Sequence, residues 1–121
     1  MRVKDAVGRF GEQVAARHLE AAGLTVLDRN WRCRQGELDL VLRDGADLVF
    51  VEVKTRSSVT FGLPAQAVDR AKAARIRKLA LLWLAENRGS TGPTGAVRFD
   101  VVAVVRHRGG GVEVDHLRGA F

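Results

Sequence analysis

The sequence predicts a single α/β domain over residues 1–121, with its elements in the order α-β-β-β-α-β-β. Two Ala-rich segments repeat apolar residues at helical spacing, and five shorter runs are rich in Val, Leu and Phe, as β-strands are. The length of 121 residues is that of one ordinary domain. A chain of this size can bury a core without a disulfide or a structural metal.

The first predicted helix covers residues 5–22, where apolar side chains form one broad face at about 100° per residue. Gly23 then supplies a stop signal. Three strands are predicted to follow, at residues 24–30, 36–43 and 48–54. The sequence Asp44-Gly45-Ala46-Asp47 is typical of a turn, so the last two of these strands are expected to form a hairpin.

The second predicted helix covers residues 65–87, and its apolar stripe consists of Val68, Ala71, Ile76, Leu79 and Trp83. A stretch rich in Gly, Ser, Thr and Pro follows at residues 88–95 and indicates a loop. The last two strands are predicted at residues 96–105 and 112–117, and a run of three glycines lies between them.

Several classes of protein are excluded by the sequence. Its longest apolar stretches, residues 48–53 and 79–85, are far shorter than the ~20 residues of a transmembrane helix. The first residues contain no apolar segment of the kind found in signal peptides. We therefore expect a cytoplasmic protein with no membrane partner. The single cysteine, Cys33, cannot form an internal disulfide.

Charge is distributed unevenly along the chain. The 20 Lys and Arg residues outnumber the 14 Asp and Glu residues, which gives a net charge of +6. Acids predominate in residues 36–52 and bases in residues 53–88. This excess of bases favours a polyanionic partner such as nucleic acid, although a solvated helix face would also explain it. The candidate contact residues are Arg56, Arg70, Lys72, Arg75, Arg77 and Lys78.

The predicted hairpin brings acidic residues together. With Gly45 and Ala46 at its tip, Asp39 faces Glu52 and Glu37 faces Lys54. One face then carries the aliphatic residues Leu38, Leu40, Leu42, Val49, Val51 and Val53. The other face carries Glu37, Asp39, Val41, Phe50, Glu52 and Lys54.

Carboxylates on one sheet face repel each other unless a cation compensates them. The oxygen ligands of Asp39 and Glu52 suit Mg²⁺ or Mn²⁺, so this pair is a candidate metal site. The alternative is a half-exposed sheet face whose acids pair with Lys54 and nearby arginines.

These strands carry a resemblance to a known superfamily. Gly36-Glu37-Leu38-Asp39-Leu40, followed by Val51-Glu52-Val53-Lys54, resembles the D…(E/D)xK core of the restriction-endonuclease-like, or PD-(D/E)xK, nucleases. Over nearly the whole chain, further motifs resemble the YraN-like family of bacterial proteins, which is similar to archaeal Holliday junction resolvases. These motifs are Gly8-Arg9-Phe10-Gly11-Glu12, Asn30-Trp31-Arg32-Cys33-Arg34, Phe61-Gly62 and Ala67-Val68-Asp69 with Lys72.

The resemblance implies a restriction-endonuclease-like fold, in which helices flank a mixed central β-sheet. It also implies a metal-dependent endonuclease that uses Mg²⁺ or Mn²⁺. DNA is favoured over RNA as its substrate, with branched or structured DNA as one candidate, but the sequence does not decide between DNA and RNA. Two alternatives stay open. One is a basic nucleic-acid-binding module of the same fold that does not cleave, and the other is a chain that acts only as a homodimer or with a partner protein.

The resemblance also assigns roles to individual residues. Asp39 and Glu52 match the metal-binding carboxylates. Lys54 matches the catalytic lysine, which orients or helps to deprotonate the attacking water. Glu12 matches the first-helix glutamate of the resolvase-like proteins. Glu37 is then an auxiliary ligand or a partner of Lys54, and the roles of Gln66 and Lys72 at the start of the basic helix stay open.

Overall fold

The computed structural model describes residues 3–57 and 68–121, and in these ranges it contains two helices and five strands. In chain order they are α1 (Val3–Ala21), β1 (Thr25–Cys33), β2 (Gly36–Asp44), β3 (Asp47–Ser57), α2 (Arg70–Glu86), β4 (Val97–Arg106) and β5 (Val112–Leu117). The predicted α/β class and the order α-β-β-β-α-β-β are confirmed. No helix in the described ranges has the length and apolar character needed to cross a membrane.

The five strands form one sheet in the order β1-β2-β3-β4-β5. Neighbouring strands are antiparallel except β3 and β4, which are parallel. A parallel pair needs a long crossover, and α2 lies in the connection between these two strands. The sheet is therefore mixed, and its central strand, β3, forms the parallel pair with β4.

Each helix covers one face of the sheet. On the α1 side, Ala15, Ala16 and Leu19 pack against buried aliphatic residues of β2, β3 and β4. On the α2 side, Leu79 and Trp83 pack against buried residues of β2 and β3. Since burial of apolar surface on both faces holds both helices to the sheet, each helix is a rigid support for the polar residues that it carries.

The predicted division of the hairpin into two faces is largely correct. Five of the six aliphatic residues lie on the α1 side, but Leu38 packs on the α2 side. Val41 and Phe50 are fully buried beneath α2, so the second face is also a core face. The exception at Leu38 follows from the backbone. Asn30, between the pairs Arg29–Leu40 and Trp31–Leu38, has a φ of 50°, which interrupts the alternation of faces in this part of the sheet.

The second helix begins later than predicted. It starts at Arg70, after the N-cap residue Asp69, whose Oδ1 accepts a hydrogen bond of 2.8 Å from the backbone N–H of Lys72. Within the predicted apolar stripe, Ile76, Leu79 and Trp83 are buried and Ala71 is exposed, while Val68 precedes the helix. Residues 65–67 of the predicted helix lie outside the described residues.

Candidate active site

The candidate site lies where β2 and β3 separate. Their pairing follows the predicted register from Asp44–Asp47 to Leu40–Val51, and Asp39 and Glu52 are next in this register. At this point a side-chain hydrogen bond takes the place of the backbone hydrogen bonds between the strands: the backbone N–H of Val53 donates to Asp39 Oδ2 at 2.9 Å. Asp39 and Glu52 both line the same two cavities, one of about 420 Å³ toward α1 and one of about 240 Å³ toward α2.

Three carboxylates from two elements converge beside this point. Glu12 of α1 and Glu37 and Asp39 of β2 each offer an oxygen atom, and these atoms lie within 4.8 Å of one another. Glu12 thus points toward the sheet, as its helical position predicted. The sequence had paired Asp39 with Glu52 as metal ligands and given Glu37 a supporting place, whereas the structure groups Glu37 and Glu12 directly with Asp39.

A glycine allows α1 to approach the sheet this closely. A Cβ atom on Gly11 would lie 1.7 Å from Thr55 Oγ1 and 3.0 Å from Thr55 Cβ, so no side chain fits between the helix and β3. The neighbouring residue of the helix is Glu12. Gly11 therefore sets the distance at which the Glu12 carboxylate meets Asp39.

Asn30 is part of this site, although no role there was predicted for it from the sequence. Its amide nitrogen, in the orientation that the surrounding acceptors require, donates to both oxygens of Glu12 at 2.8 and 2.9 Å and to Glu37 Oε1 at 3.2 Å. Its left-handed backbone conformation directs the amide into the site. Two signals in the sequence could have found it: Asn adopts this conformation more readily than most residues, and Asn30 begins one of the motifs that resemble the YraN-like family.

The carboxylates strongly perturb each other's protonation. Burial, followed by repulsion from Glu52, raises the pKa of Asp39 to about 8. Burial also raises the pKa of Glu12, with a smaller contribution from the charge of Glu37. At neutral pH and without a cation, Asp39 therefore holds a proton, and the acidic group is partly neutral.

Two lysines share the carboxylate of Glu52. Lys72 Nζ lies 3.1 Å and Lys54 Nζ 3.7 Å from Glu52 Oε1. Burial lowers the pKa of Lys54, and the neighbouring Lys72 acts in the same direction. The predicted placement of Lys54 beside Glu52 is what the structure contains. Lys72, which the sequence assigned to a nucleic-acid-binding surface, lies inside the carboxylate site.

The other basic residues of the predicted nucleic-acid-binding set have different surroundings. Arg70, Arg75 and Lys78 are exposed on α2, and Arg75 also lines the smaller cavity with Lys72. Arg56 is half-buried near the end of β3. The guanidinium of Arg77 stacks on the Phe99 ring, 5.1 Å from its centroid, so it contributes to packing. Gln66, with Phe61 and Gly62, lies outside the described residues.

The donor set fits a hard divalent cation. Carboxylate oxygens are the ligands that Mg²⁺ and Mn²⁺ prefer, and oxygen atoms bound to one such ion lie about 3 to 4 Å apart. The converging oxygens of Glu12, Glu37 and Asp39 need only small adjustments to reach such spacings. Within the described ranges, no Lys or Arg side chain pairs with Glu12 or Asp39, so a cation would relieve the repulsion among these acids.

Comparison with known proteins places the chain in a family. A family model described as "Uncharacterised protein family UPF0102" matches residues 11–104. The chain belongs to the UPF0102 family. UPF0102 proteins from Frankia alni and Frankia casuarinae are 66% and 61% identical to it over 121 residues, which are 98% and 100% of those proteins. A UPF0102 protein from Beutenbergia cavernae is 61% identical over 119 residues and is matched over 98% of its length.

The UPF0102 match confirms the predicted YraN-like family membership. It extends from the residue before Glu12 to Val104, near the end of β4. The family region therefore contains all the side chains of the candidate site, from Glu12 on α1 to Lys72 on α2.

Proposed function

We propose that this UPF0102 protein is a metal-dependent nuclease that hydrolyses phosphodiester bonds in DNA. The observation that carries the proposal is the position of Asp39, which is half-buried at the separation of two strands with the carboxylates of Glu12, Glu37 and Glu52 around it. Such a group is unfavourable in an empty site and favourable around a divalent cation. The lysine pair on Glu52 supplies the second requirement of phosphodiester hydrolysis, which is positive charge beside the reacting phosphate.

The residues of the chain have separable roles in this proposal. Asp39 and Glu52 would hold Mg²⁺ or Mn²⁺, and Glu12 and Glu37 would complete or support the ligand set. The bound cation would polarise a phosphate oxygen and acidify a water molecule. Lys54 would orient this water and offset the negative charge that develops on the phosphate.

The surroundings of the site support a polyanionic substrate. α2 begins beside Glu52, and the N-terminus of a helix carries a partial positive charge that favours phosphate. Arg75 and Lys78 are exposed along the same helix. DNA is the expected polyanion, and branched DNA is the structured substrate to test first.

The decisive experiment is a cleavage assay on duplex, single-stranded and four-way-junction DNA with Mg²⁺ or Mn²⁺, with and without chelator. The parent protein should cleave at least one substrate in a metal-dependent manner. Asp39→Asn and Glu52→Gln should each reduce the rate at least ~100-fold. Asp115→Asn is the matched control, because Asp115 is an exposed acid on β5.

The same preparations exclude a contaminating nuclease. Residual cleavage of equal rate in the parent and in Asp39→Asn, after identical purification, would identify a contaminant. A parent protein that cleaves none of the three DNA forms with either cation would contradict the proposal.

A further inference from the structure

Glu52 and Asp39 differ in how their charge is compensated, although they are adjacent. Glu52 has two ammonium groups within 4.0 Å, from Lys54 and Lys72. Asp39 has one backbone N–H as a partner, and the groups nearest to it are other carboxylates. A divalent cation that binds at Asp39 must therefore compete with the two lysines for the carboxylate of Glu52.

Lys72 is the closer of the two ammonium groups, at 3.1 Å, and its position has an electrostatic cost. It is the third residue of α2, and its backbone N–H is fixed by the N-cap Asp69. A cation is unfavourable at a helix N-terminus, and the first turn of α2 contains no acid. Glu52 is thus the group that favours this orientation of the Lys72 side chain.

The location of Lys72 also allows its ammonium group to bind a second partner, in the cavity next to Glu52. Its side chain is 31% exposed, whereas that of Glu52 is 14% exposed. It lines the cavity of about 240 Å³ that Asp39, Glu52 and Arg75 also line. A phosphate group in this cavity would lie within reach of Lys72, beside the carboxylates.

We propose that Lys72 holds the Glu52 carboxylate until a divalent cation binds this carboxylate, and then pairs with a phosphate of the substrate. This inference rests on the proposed function and adds an exchange of partners to it. The lysine lowers the affinity for the cation in the absence of DNA. It raises the affinity of the cation-loaded protein for the phosphodiester, because the released ammonium has no other acid in the first turn of its helix.

The test measures Mn²⁺ affinity by calorimetric titration without DNA, for the parent and four variants. Lys72→Met should bind Mn²⁺ about two- to tenfold more tightly, the range expected on removing one competing ion pair. Lys72→Gln provides the same comparison with a polar side chain if the Met variant does not fold. Lys72→Arg keeps the pair and should bind Mn²⁺ as the parent does.

Arg75→Met is the matched control. It removes one positive charge from the wall of the same cavity but breaks no ion pair, since no acid within the described ranges pairs with Arg75. Its Mn²⁺ affinity should stay within twofold of the parent value. With Mn²⁺ saturating, Lys72→Met should bind and cleave DNA at least ~10-fold less well, and Lys72→Arg should recover part of this loss.

The outcomes separate this inference from the function on which it rests. Unchanged Mn²⁺ affinity in Lys72→Met and Lys72→Gln, with normal binding by the parent, would overturn the inference alone. An equal gain in Arg75→Met would also overturn it, because general charge would then explain the effect. A parent protein that does not bind Mn²⁺ would overturn the proposed function and this inference together.

Discussion

The protonation of Asp39 makes a quantitative prediction about the metal-free protein. Asp39→Asn removes the charge and keeps the shape, and the Asn oxygen can still accept the hydrogen bond from the backbone of Val53. The variant therefore isolates the electrostatic contribution of this carboxyl group. Its effect on the free energy of unfolding should depend on pH and should be stabilising at high pH.

The direction of the pH dependence follows from the different pKa of Asp39 in the folded and unfolded states. The pKa of Asp39 is about 8 in the folded protein, against an ordinary value of 3.8 for an aspartate, so the folded state keeps the proton to higher pH. Between pH 4 and pH 8 the free energy of unfolding should therefore fall as pH rises, by up to about 1.4 kcal/mol per pH unit. The whole interval corresponds to an upper bound of roughly 6 kcal/mol. Asp39→Asn lacks this decline. Its free energy of unfolding should therefore equal that of the parent near pH 4 and exceed it by several kcal/mol near pH 8.

Urea unfolding in the presence of chelator, at intervals from pH 4 to pH 9, measures both curves. Asp115→Asn serves as the control and should follow the parent at every pH. Saturating Mg²⁺ or Mn²⁺ should restore the free energy of unfolding that the parent protein loses at pH 8, and it should leave that of Asp39→Asn largely unchanged. If the chelated parent and Asp39→Asn keep a constant difference across this range, Asp39 does not hold its proton and the electrostatic account of the site is wrong.

Three further predictions concern the lysine, the helix and the surface. Lys54→Ala should cleave at least ~100-fold more slowly in single-turnover assays with little change in DNA affinity, and an unchanged rate would remove it from the reaction. Gly11→Ala should lower the free energy of unfolding by about 1–3 kcal/mol in urea, because its Cβ meets Thr55. Adding Thr55→Ala should recover part of this loss, and no recovery would place the strain elsewhere. Replacing Arg75 and Lys78 together by Ala should reduce the slope of log affinity against log salt by up to about two, whereas an unchanged slope would indicate a solvated surface.

The register of the hairpin could be predicted because two local signals determine it. The Gly45-Ala46 turn fixes the pairing, and the period of two then assigns each side chain to a face. This was enough to bring Asp39 and Glu52 together. It failed at Leu38, because the left-handed backbone of Asn30 interrupts the alternation, and such a conformation depends on tertiary contacts as well as on residue type.

The contributions of the two helices to the site were harder to predict. Helical periodicity placed Glu12 at the border of the buried face, but its distance from Asp39 depends on the close approach at Gly11. The sequence predicted Lys72 as part of a basic surface, because five bases lie within the first nine residues of α2. Lys72 reaches Glu52 because α2 starts at Arg70 and packs on the sheet through Ile76, Leu79 and Trp83. Neither is a local property of the sequence.

Another acid in the same sheet is compensated differently from Asp39, and the contrast supports the proposed cation site. Asp100 on β4 is fully buried, and its two oxygens accept hydrogen bonds of 2.9 and 3.0 Å from Arg98. His116 at 2.7 Å and the backbone N–H of Gly119 at 2.9 Å complete its partners. Burial by itself would raise the pKa of Asp100, but these partners hold it below the usual value. The chain thus compensates a buried carboxylate where the role of that carboxylate is to stabilise the fold. At Asp39 it supplies more carboxylates instead, which is the arrangement expected when the missing positive charge comes from solution.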